Sequence, residues 1–338
     1  MRAAIAGRLR GRGLMLPGGV VCAAAAILIA GWERPSGSAL SHLSIALGRS
    51  ANGGADQPDL SALFAQFQSI SSLFFSASVV LDLDDPFVTR CECELIEVDC
   101  AGQPIFGQLD HWSAADRYRV SSYVEPDRFP GMQTDVAYDG RRFQLLRSDG
   151  TLSYSEHDSA ILLPLVPNPL LALLTFRYPL TDENYQFELR LKDVQRDRPP
   201  PGFFDVEWVS IDEGGRTLER AEFPGGTYEG RTYVHYVYAL PGHRNAPVRI
   251  ERVTTDGIVM TSTEFTNYVQ VDTPNGPTYW PLQVVLRALD SDGSDVVKIA
   301  YQIDTIEVDA PIPDEVLVID PQAAARIWDD DRQEFVSP

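Results

Sequence analysis

The sequence has few positive charges, and this shortage argues against two classes of partner. Its 338 residues carry 28 Lys and Arg against 48 Asp and Glu, which gives a formal net charge of -20. Binding nucleic acid requires a basic face that neutralises phosphates, so a nucleic-acid partner is not expected. An acidic surface is also repelled by anionic membranes. Hydrophobic residues nevertheless make up 44% of the chain, which is enough for a sizeable core.

Catalytic motifs are lacking as well. The sequence contains no HExxH, GxSxG, Walker A, GxGxxG or CxxC pattern. Its five histidines are scattered without the spacing of metal ligands. The acidic run at 290–295 resembles part of an EF-hand loop, but it lacks the closing Glu and is better interpreted as a hairpin turn. We therefore predict a protein that is not an enzyme and that has no metal site and no cofactor.

Cysteine is scarce, and three of the four cysteines cluster at Cys91, Cys93 and Cys100. An odd number in an exported chain leaves at least one thiol unpaired. With a turn at 99–103, Cys93 and Cys100 lie roughly 23 Å apart along an extended chain, which is beyond disulfide reach. Unpaired or strained thiols on a strand are the preferred interpretation, and a metal site shared with His111 is the alternative.

The first thirty residues have the features of an export signal. Four arginines precede an apolar run from 14 to 30. A charged segment followed by an apolar one is typical of a secretory signal peptide. The run is barely long enough to span a bilayer, so a cleaved signal over 1–30 is favoured and an uncleaved anchor at 14–30 is the alternative. In both cases we predict export to the periplasm or cell envelope.

Beyond the signal, the chain divides into a linker, one β domain and a short tail. Residues 31–58 are rich in Ser, Gly, Ala and Pro, which is typical of a flexible linker. The helical spacing of apolar residues predicts a short amphipathic helix over 59–68. The tail at 319–338 is predicted to contain a short helix at 323–328.

Most of the remaining chain has the period-two pattern of β-strands, and strands are predicted throughout, among them 87–98 and 187–194. Six dipeptides typical of hairpin turns separate the strand-like runs, which predicts an antiparallel meander. They are Asp139-Gly140, Asp149-Gly150, Gly214-Gly215, Asp256-Gly257, Asn275-Gly276 and Asp292-Gly293.

One apolar segment, at 161–179, breaks the strand pattern. Asn168 is a suitable cap for a helix whose following residues are mainly leucines, with hardly any polar face. A helix that is apolar on all sides must be buried on most of them. We predict a helix that plugs the inside of a curved sheet, and two short buried strands are the alternative.

Several short motifs follow one another in a specific order. They are the helix at 59–68, Phe74-Phe75 in the first strand, GQLDHW at 107–112, DRYRV at 116–120, YDGRRF at 138–143, the apolar segment and APIPD at 310–314. In this order they resemble the LolA-like superfamily of periplasmic lipoprotein carriers and outer-membrane lipoprotein-sorting proteins. The resemblance covers 59–318. It departs from the carriers at 113–116, where SAAD replaces an Arg-Pro pair, so a carrier-type latch is not expected.

The resemblance implies a mainly β fold with few helices, a strongly curved antiparallel sheet forming an open half-barrel that short helices lid or plug. It also implies a non-enzymatic protein whose concave face holds a lipid, a lipoprotein acyl chain or another apolar ligand. Burying acyl chains contributes about 0.8 kcal/mol per CH₂, so an apolar cavity suffices. The predicted lining consists of Leu63, Phe67, Phe74, Leu170, Leu173, Leu174, Tyr236 and Tyr238.

Two other hypotheses stay open. The scaffold also resembles the sensory domain of RseB-type sigma-factor regulators, which would make the chain an envelope sensor or interaction module with protein partners. A hydrolase is the third hypothesis, and it lacks any recognisable nucleophile or metal constellation. We expect a monomer.

Overall fold

The computed structural model describes residues 59–83, 104–124, 133–147, 149–156, 168–178, 180–181, 191–228, 230–274, 276–290 and 292–336. The predicted signal, the linker, the strand at 87–98 and all four cysteines lie outside these residues. Within the described ranges, no helix is long and apolar enough to cross a membrane.

The described residues form sixteen strands. They are β1 Ser72–Leu83, β2 Ile105–Ala114, β3 Arg117–Val124, β4 Gln133–Tyr138, β5 Phe143–Arg147, β6 Thr151–Ser155, β7 Leu180–Thr181, β8 Trp208–Glu213, β9 Arg216–Tyr228, β10 Arg231–Ala239, β11 Arg249–Thr254, β12 Val259–Thr273, β13 Gly276–Leu289, β14 Asp295–Val308, β15 Arg326–Asp329 and β16 Glu334–Val336.

All of these strands belong to one open sheet. Its order is β16-β15-β6-β5-β4-β3-β2-β1-β14-β13-β12-β11-β10-β9-β7, and β8 also pairs with β9. Two pairings are parallel, β15 with β6 and β7 with β9, and the others are antiparallel. The predicted mainly β fold with an open antiparallel sheet is therefore confirmed.

Each of the six predicted hairpin turns joins two neighbouring strands of this sheet. Gly140 follows β4 with a φ of 94°, and Gly257 follows β11 with a φ of 90°. A side chain is strained in this left-handed region, which is why these turns require glycine. The local turn chemistry thus fixes which strands become neighbours.

Helix α1 (Leu60–Ser69) begins at a well-formed cap. The Asp59 carboxylate accepts hydrogen bonds from the backbone N–H groups of Ser61 (2.8 Å) and Ala62 (3.4 Å), which satisfies donors that the helix cannot. The predicted amphipathic helix is confirmed. Its buried residues are Leu60, Leu63, Phe64 and Phe67.

The two faces of the sheet have different surroundings. We call the face covered by α1 and the apolar segment the concave face, and the opposite face the convex face. One buried cluster on the concave face joins β2 to β9, although six strands separate them in the sheet. A flat sheet would hold these two strands roughly 34 Å apart, whereas α1 is only about 15 Å long. This mismatch favours a sheet that curves around its short cover.

Two predictions in the middle of the chain are wrong in part. The described end of the predicted strand at 187–194 is helical, because it belongs to α2 (Leu191–Arg196). Gln195 of α2 donates a hydrogen bond from Nε2 to the Ile70 carbonyl at the end of α1 (2.7 Å). The apolar segment is helical as predicted, but its helix, Leu171–Arg177, is a 3₁₀ helix.

The predicted helix in the C-terminal tail is also wrong. A single 3₁₀ turn spans Pro321–Ala323, and the chain then continues as β15. Strand β15 pairs with β6 and buries Ile327 beside Leu152 on the convex face. Pairing with a free sheet edge thus overrides the helix propensity of the alanines.

Candidate functional site

Helix α1 is fixed to the concave face over β13. The Gln66 side chain bonds in both directions with the backbone of Tyr279: Nε2 donates to the carbonyl (3.2 Å), and Oε1 accepts from the N–H (3.1 Å). Phe67 meets the fully buried Trp280 edge to face, with ring centroids 5.0 Å apart. One polar side chain and one aromatic pair thus set the position of α1.

Residues 168–177, which we call the leucine segment, form the second part of the cover. Its 3₁₀ helix contacts β9, β10 and β11. Asn168 Oδ1 accepts hydrogen bonds from the backbone N–H groups of Leu170 (3.0 Å) and Leu171 (3.3 Å), although the cap position of the 3₁₀ helix is Leu170, two residues later than predicted. The buried apolar side chains of the segment are Leu170, Leu171, Ala172, Leu173, Leu174 and Phe176.

Asn168 also ties the leucine segment to β2 through His111. The Asn168 amide nitrogen lies 3.4 Å from His111 Nδ1, and His111 Nε2 lies 3.2 Å from Ser113 Oγ. The imidazole stacks on Phe75 with centroids 5.1 Å apart. Burial lowers the pKa of His111 to about 3, so the ring is neutral at neutral pH. A neutral ring with both nitrogens in contact is a structural link.

The cysteines of the possible metal site with His111 lie outside the described ranges. Within those ranges, no group of His, Cys, Asp and Glu is arranged to hold a metal ion.

Five of the eight predicted lining residues lie together on the concave face. They are Leu63 and Phe67 of α1 and Leu170, Leu173 and Leu174 of the leucine segment, all in one buried cluster and at most 1% exposed. These side chains belong to the cover and fill the space between it and the sheet. Direct contact of these five residues with a ligand stays a prediction.

The other three predicted residues lie on the convex face, so their placement is corrected. In β1, Phe75 belongs to the concave cluster, and Phe74 stacks on a tryptophan of β2 on the other side. In β10, Val237 belongs to the concave cluster, and Tyr236 and Tyr238 flank it in sequence. Successive strand residues point to opposite faces, which excludes Phe74, Tyr236 and Tyr238 from the concave lining.

Tyr236 and Tyr238 instead line a shallow cleft of about 410 Å³ on the convex face, together with Glu222 and Glu251. The Tyr238 hydroxyl donates a hydrogen bond to Glu251 (2.7 Å). Burial, and then the Glu251 charge, raise the pKa of Tyr238 to about 12. The Arg249 guanidinium stacks over the Tyr238 ring at 4.0 Å from its centroid. These contacts brace the strands and satisfy the polar groups of Tyr238 and Glu251 internally.

Two residues that no sequence pattern indicated meet on the concave face. His235 of β10 lies directly opposite Arg252 of β11, one row beyond Val237 and Ile250. His235 is 1% exposed, and neither of its ring nitrogens has a hydrogen-bond partner; the buried Arg252 Nε has none either. Burial, with a smaller contribution from the Arg252 charge, lowers the pKa of His235 to about 3. A histidine in register with the apolar positions of β10 is the only sequence signal for this pair.

The described residues thus form an open, largely antiparallel sheet whose apolar face is covered by a helix and a 3₁₀ segment, and the chain is similar to several solved structures. A LolA superfamily protein from Nitrosomonas europaea matches 78% of this chain and 98% of its own, with 10% identity and a TM-score of 0.39. A putative outer membrane lipoprotein-sorting protein domain from Vibrio parahaemolyticus matches 75% of this chain and 94% of its own, with 10% identity and a TM-score of 0.38.

A chain of the MucA/MucB complex from Pseudomonas aeruginosa matches 76% of this chain and 100% of its own, with 11% identity and a TM-score of 0.24. No protein-family model and no curated protein matches the chain. At these identities the structural matches concern the arrangement of strands alone. The function of this chain therefore has to rest on its own residues.

Proposed function

We propose that the protein is an exported, non-enzymatic binding protein that holds an apolar ligand, such as a lipid or a lipoprotein acyl chain, on its concave face. The observation that carries this proposal is the cover of that face. The concave face over β9, β10 and β11 is covered by the leucine segment, a short 3₁₀ helix with apolar side chains on nearly all sides. Short 3₁₀ helices have poor hydrogen-bond geometry, so the segment owes its position mainly to packing.

An acyl chain is chemically equivalent to the side chains of this segment. Burying a sixteen-carbon chain contributes roughly 12 kcal/mol, and exposing five large apolar side chains costs a similar amount, roughly 10 kcal/mol. The free energy gained by burying the ligand therefore nearly equals the free energy lost by exposing the segment. Under these conditions the apparent affinity for the ligand depends directly on how stably the segment is held.

The Asn168 cap gives a way to test this exchange. Asn168→Ala removes two hydrogen bonds to the start of the 3₁₀ helix and the contact with His111. Losing a cap costs about 1 kcal/mol. If the ligand replaces the segment, this change should increase the affinity for a fluorescent fatty acid up to about fivefold.

The matched control is Asp320→Ala. Asp320 caps the 3₁₀ turn at Pro321–Ala323, where its carboxylate accepts from the Gln322 N–H (2.9 Å) next to the convex-face cluster. This control should leave probe affinity unchanged. Purified wild-type protein should also release lipid on solvent extraction. Absence of both extractable lipid and saturable probe binding in all three proteins would refute the proposal and favour an envelope interaction module on the same scaffold.

Export rests on the N-terminal sequence. The proposed organisation is a signal at 1–30, a linker at 31–58, the half-barrel domain at 59–318 and the tail at 319–338, whose strands join the same sheet. N-terminal sequencing of the exported protein is the direct test. A start near Gly31 or Leu40 is expected, and a start at Met1 would indicate an anchor at 14–30 instead.

A further inference from the structure

The His235 and Arg252 pair lies where the apolar part of the concave face ends. In the neighbouring row of the sheet, Val237 lies opposite Ile250, and both belong to the buried core cluster. Facing residues of antiparallel strands lie on the same face with their β-carbons about 5 Å apart. On the concave face of β10 and β11, the apolar pair Val237 and Ile250 is therefore followed directly by the polar pair His235 and Arg252.

Among the described residues, no carboxylate neutralises these two side chains. Neither His235 nitrogen has a partner, and the Arg252 guanidinium forms no ion pair or hydrogen bond with a described residue. Arg252 is half-buried, its Nε is fully buried without a hydrogen-bond partner, and burial lowers the pKa of Arg252. Buried polar atoms normally have a partner, so His235 and this Nε require an explanation.

The other arginines of the sheet show that partners are available elsewhere. Arg249, three residues before Arg252 in the same strand, pairs with Glu213 (2.9 Å) and Glu251 (3.1 Å) on the convex face. Arg287 pairs with Asp295 (3.3 Å). Within the described ranges, no carboxylate pairs with Arg252 in this way, although Glu219 of β9, on the same face as Phe223, pairs with Arg244 (2.8 Å).

The leucine segment ends next to this pair. Phe176 of the segment contacts Phe223 of β9, with ring centroids 4.7 Å apart. Phe223 lies directly opposite His235 in the register of β9 and β10. A chain that replaced the leucine segment would therefore run along the apolar row and reach His235 and Arg252 at its end.

We propose that His235 and Arg252 bind the anionic head group, a carboxylate or a phosphate, of an amphiphile whose hydrocarbon chain takes the place of the leucine segment. This inference rests on the proposed function and names its ligand class. The guanidinium offers a planar fork that matches the two oxygens of a carboxylate or phosphate. The neutral imidazole adds one N–H donor. Tyr233, which flanks this pair on the same face, brings a hydroxyl near Arg252.

The test compares three probes on the full chain. They are an anthroyl-labelled C18 fatty acid, its methyl ester and, as a competitor, lysophosphatidic acid. The wild type should bind the acid at least about tenfold more tightly than the ester, because a charge-assisted hydrogen bond is lost with the ester. Competition by lysophosphatidic acid at lower concentration than by free fatty acid would identify phosphate as the preferred head group, and the reverse order would identify carboxylate.

The key variant is Arg252→Met, and the charge-matched control is Arg249→Met on the convex face. Arg252→Met should bind acid and ester equally while keeping the midpoint of urea unfolding unchanged or raised, since no internal partner is lost. Arg249→Met should keep the preference for the acid. Equal binding of acid and ester by the wild type, or a preference retained in Arg252→Met, would overturn the head-group site alone. Failure of every probe to bind would overturn the proposed function as well.

Discussion

Arg119 connects the C-terminal segment to the sheet, and its replacement should destabilise the fold strongly. Its guanidinium donates two hydrogen bonds to Asp135, from Nε to Oδ1 (2.8 Å) and from Nη2 to Oδ2 (2.5 Å). Nη1 donates to the carbonyls of Val316 (3.2 Å) and Val318 (3.3 Å). Acceptors on β4 and on the segment that follows β14 therefore converge on one side chain.

The expected loss of stability depends on the group that remains unpaired after the replacement. Asp135 is only 7% exposed, so Arg119→Ala leaves a buried carboxylate without a partner, and removing one member of a buried pair costs about 3–5 kcal/mol. Arg119→Lys keeps the charge but loses the planar fork, and should cost about 2 kcal/mol. Replacing both members, as in Arg119→Met with Asp135→Leu, should recover most of the loss because no unpaired charge remains.

Urea unfolding followed by tryptophan fluorescence measures these differences. The matched control is Arg141→Ala, whose partner Glu156 is 3.4 Å away and exposed, so its loss should change the free energy of unfolding by less than about 1 kcal/mol. If Arg119→Ala cost no more than Arg141→Ala, or if the double variant were less stable than the single one, the role assigned to Arg119 would be refuted.

Two further predictions concern β9. Gly225→Ala should lower the thermal midpoint by several degrees, because a β-carbon there would lie 2.6 Å from the carbonyl carbon of Tyr233; an unchanged midpoint would contradict this. Hydrogen bonds from Arg244 hold the pKa of Glu219 below its ordinary value of 4.5. A lowered carboxyl pKa stabilises the fold above the unfolded value and loses this effect as the pH falls through the folded value. Arg244→Gln should therefore destabilise at pH 7 and progressively less below about pH 4 in urea titrations, and an equal loss at both pH values would count against the pair.

The elements that were correctly predicted depend on local chemistry. Hairpin turns need a positive φ at a glycine, and α1 needs a cap and an apolar stripe, so both can be recognised in a short window of sequence. The predictions that failed depend on distant residues. The end of the predicted strand at 187–194 forms a helix joined to α1, and β15 forms because β6 leaves an edge on which it can pair.

The candidate site shows a second limit, which is the assignment of a strand residue to one face. A shift of one residue moves every side chain to the other face. In β1, the serines Ser76 and Ser78 mark the convex side and could have placed Phe75, not Phe74, in the core. In β10 no such marker exists, because Tyr238 packs in a separate buried cluster on the convex face. A strand buried on both faces loses the alternation that assigns its residues.

The proposed head-group site can be tested by comparing how replacement of Arg119 and of Arg252 changes the stability of the fold. Both are arginines of the same sheet, and only Arg119 has its acceptors supplied by the fold. Leaving Arg252 and His235 unpaired lowers the stability of the fold. Unsatisfied polar groups of this kind are expected at sites that bind a ligand. Replacement by Met should therefore have opposite signs at the two positions: the midpoint of urea unfolding falls for Arg119→Met and stays or rises for Arg252→Met. A loss of stability at Arg252 as large as that at Arg119 would show that Arg252 is held by the fold itself, and the head-group site would have no basis.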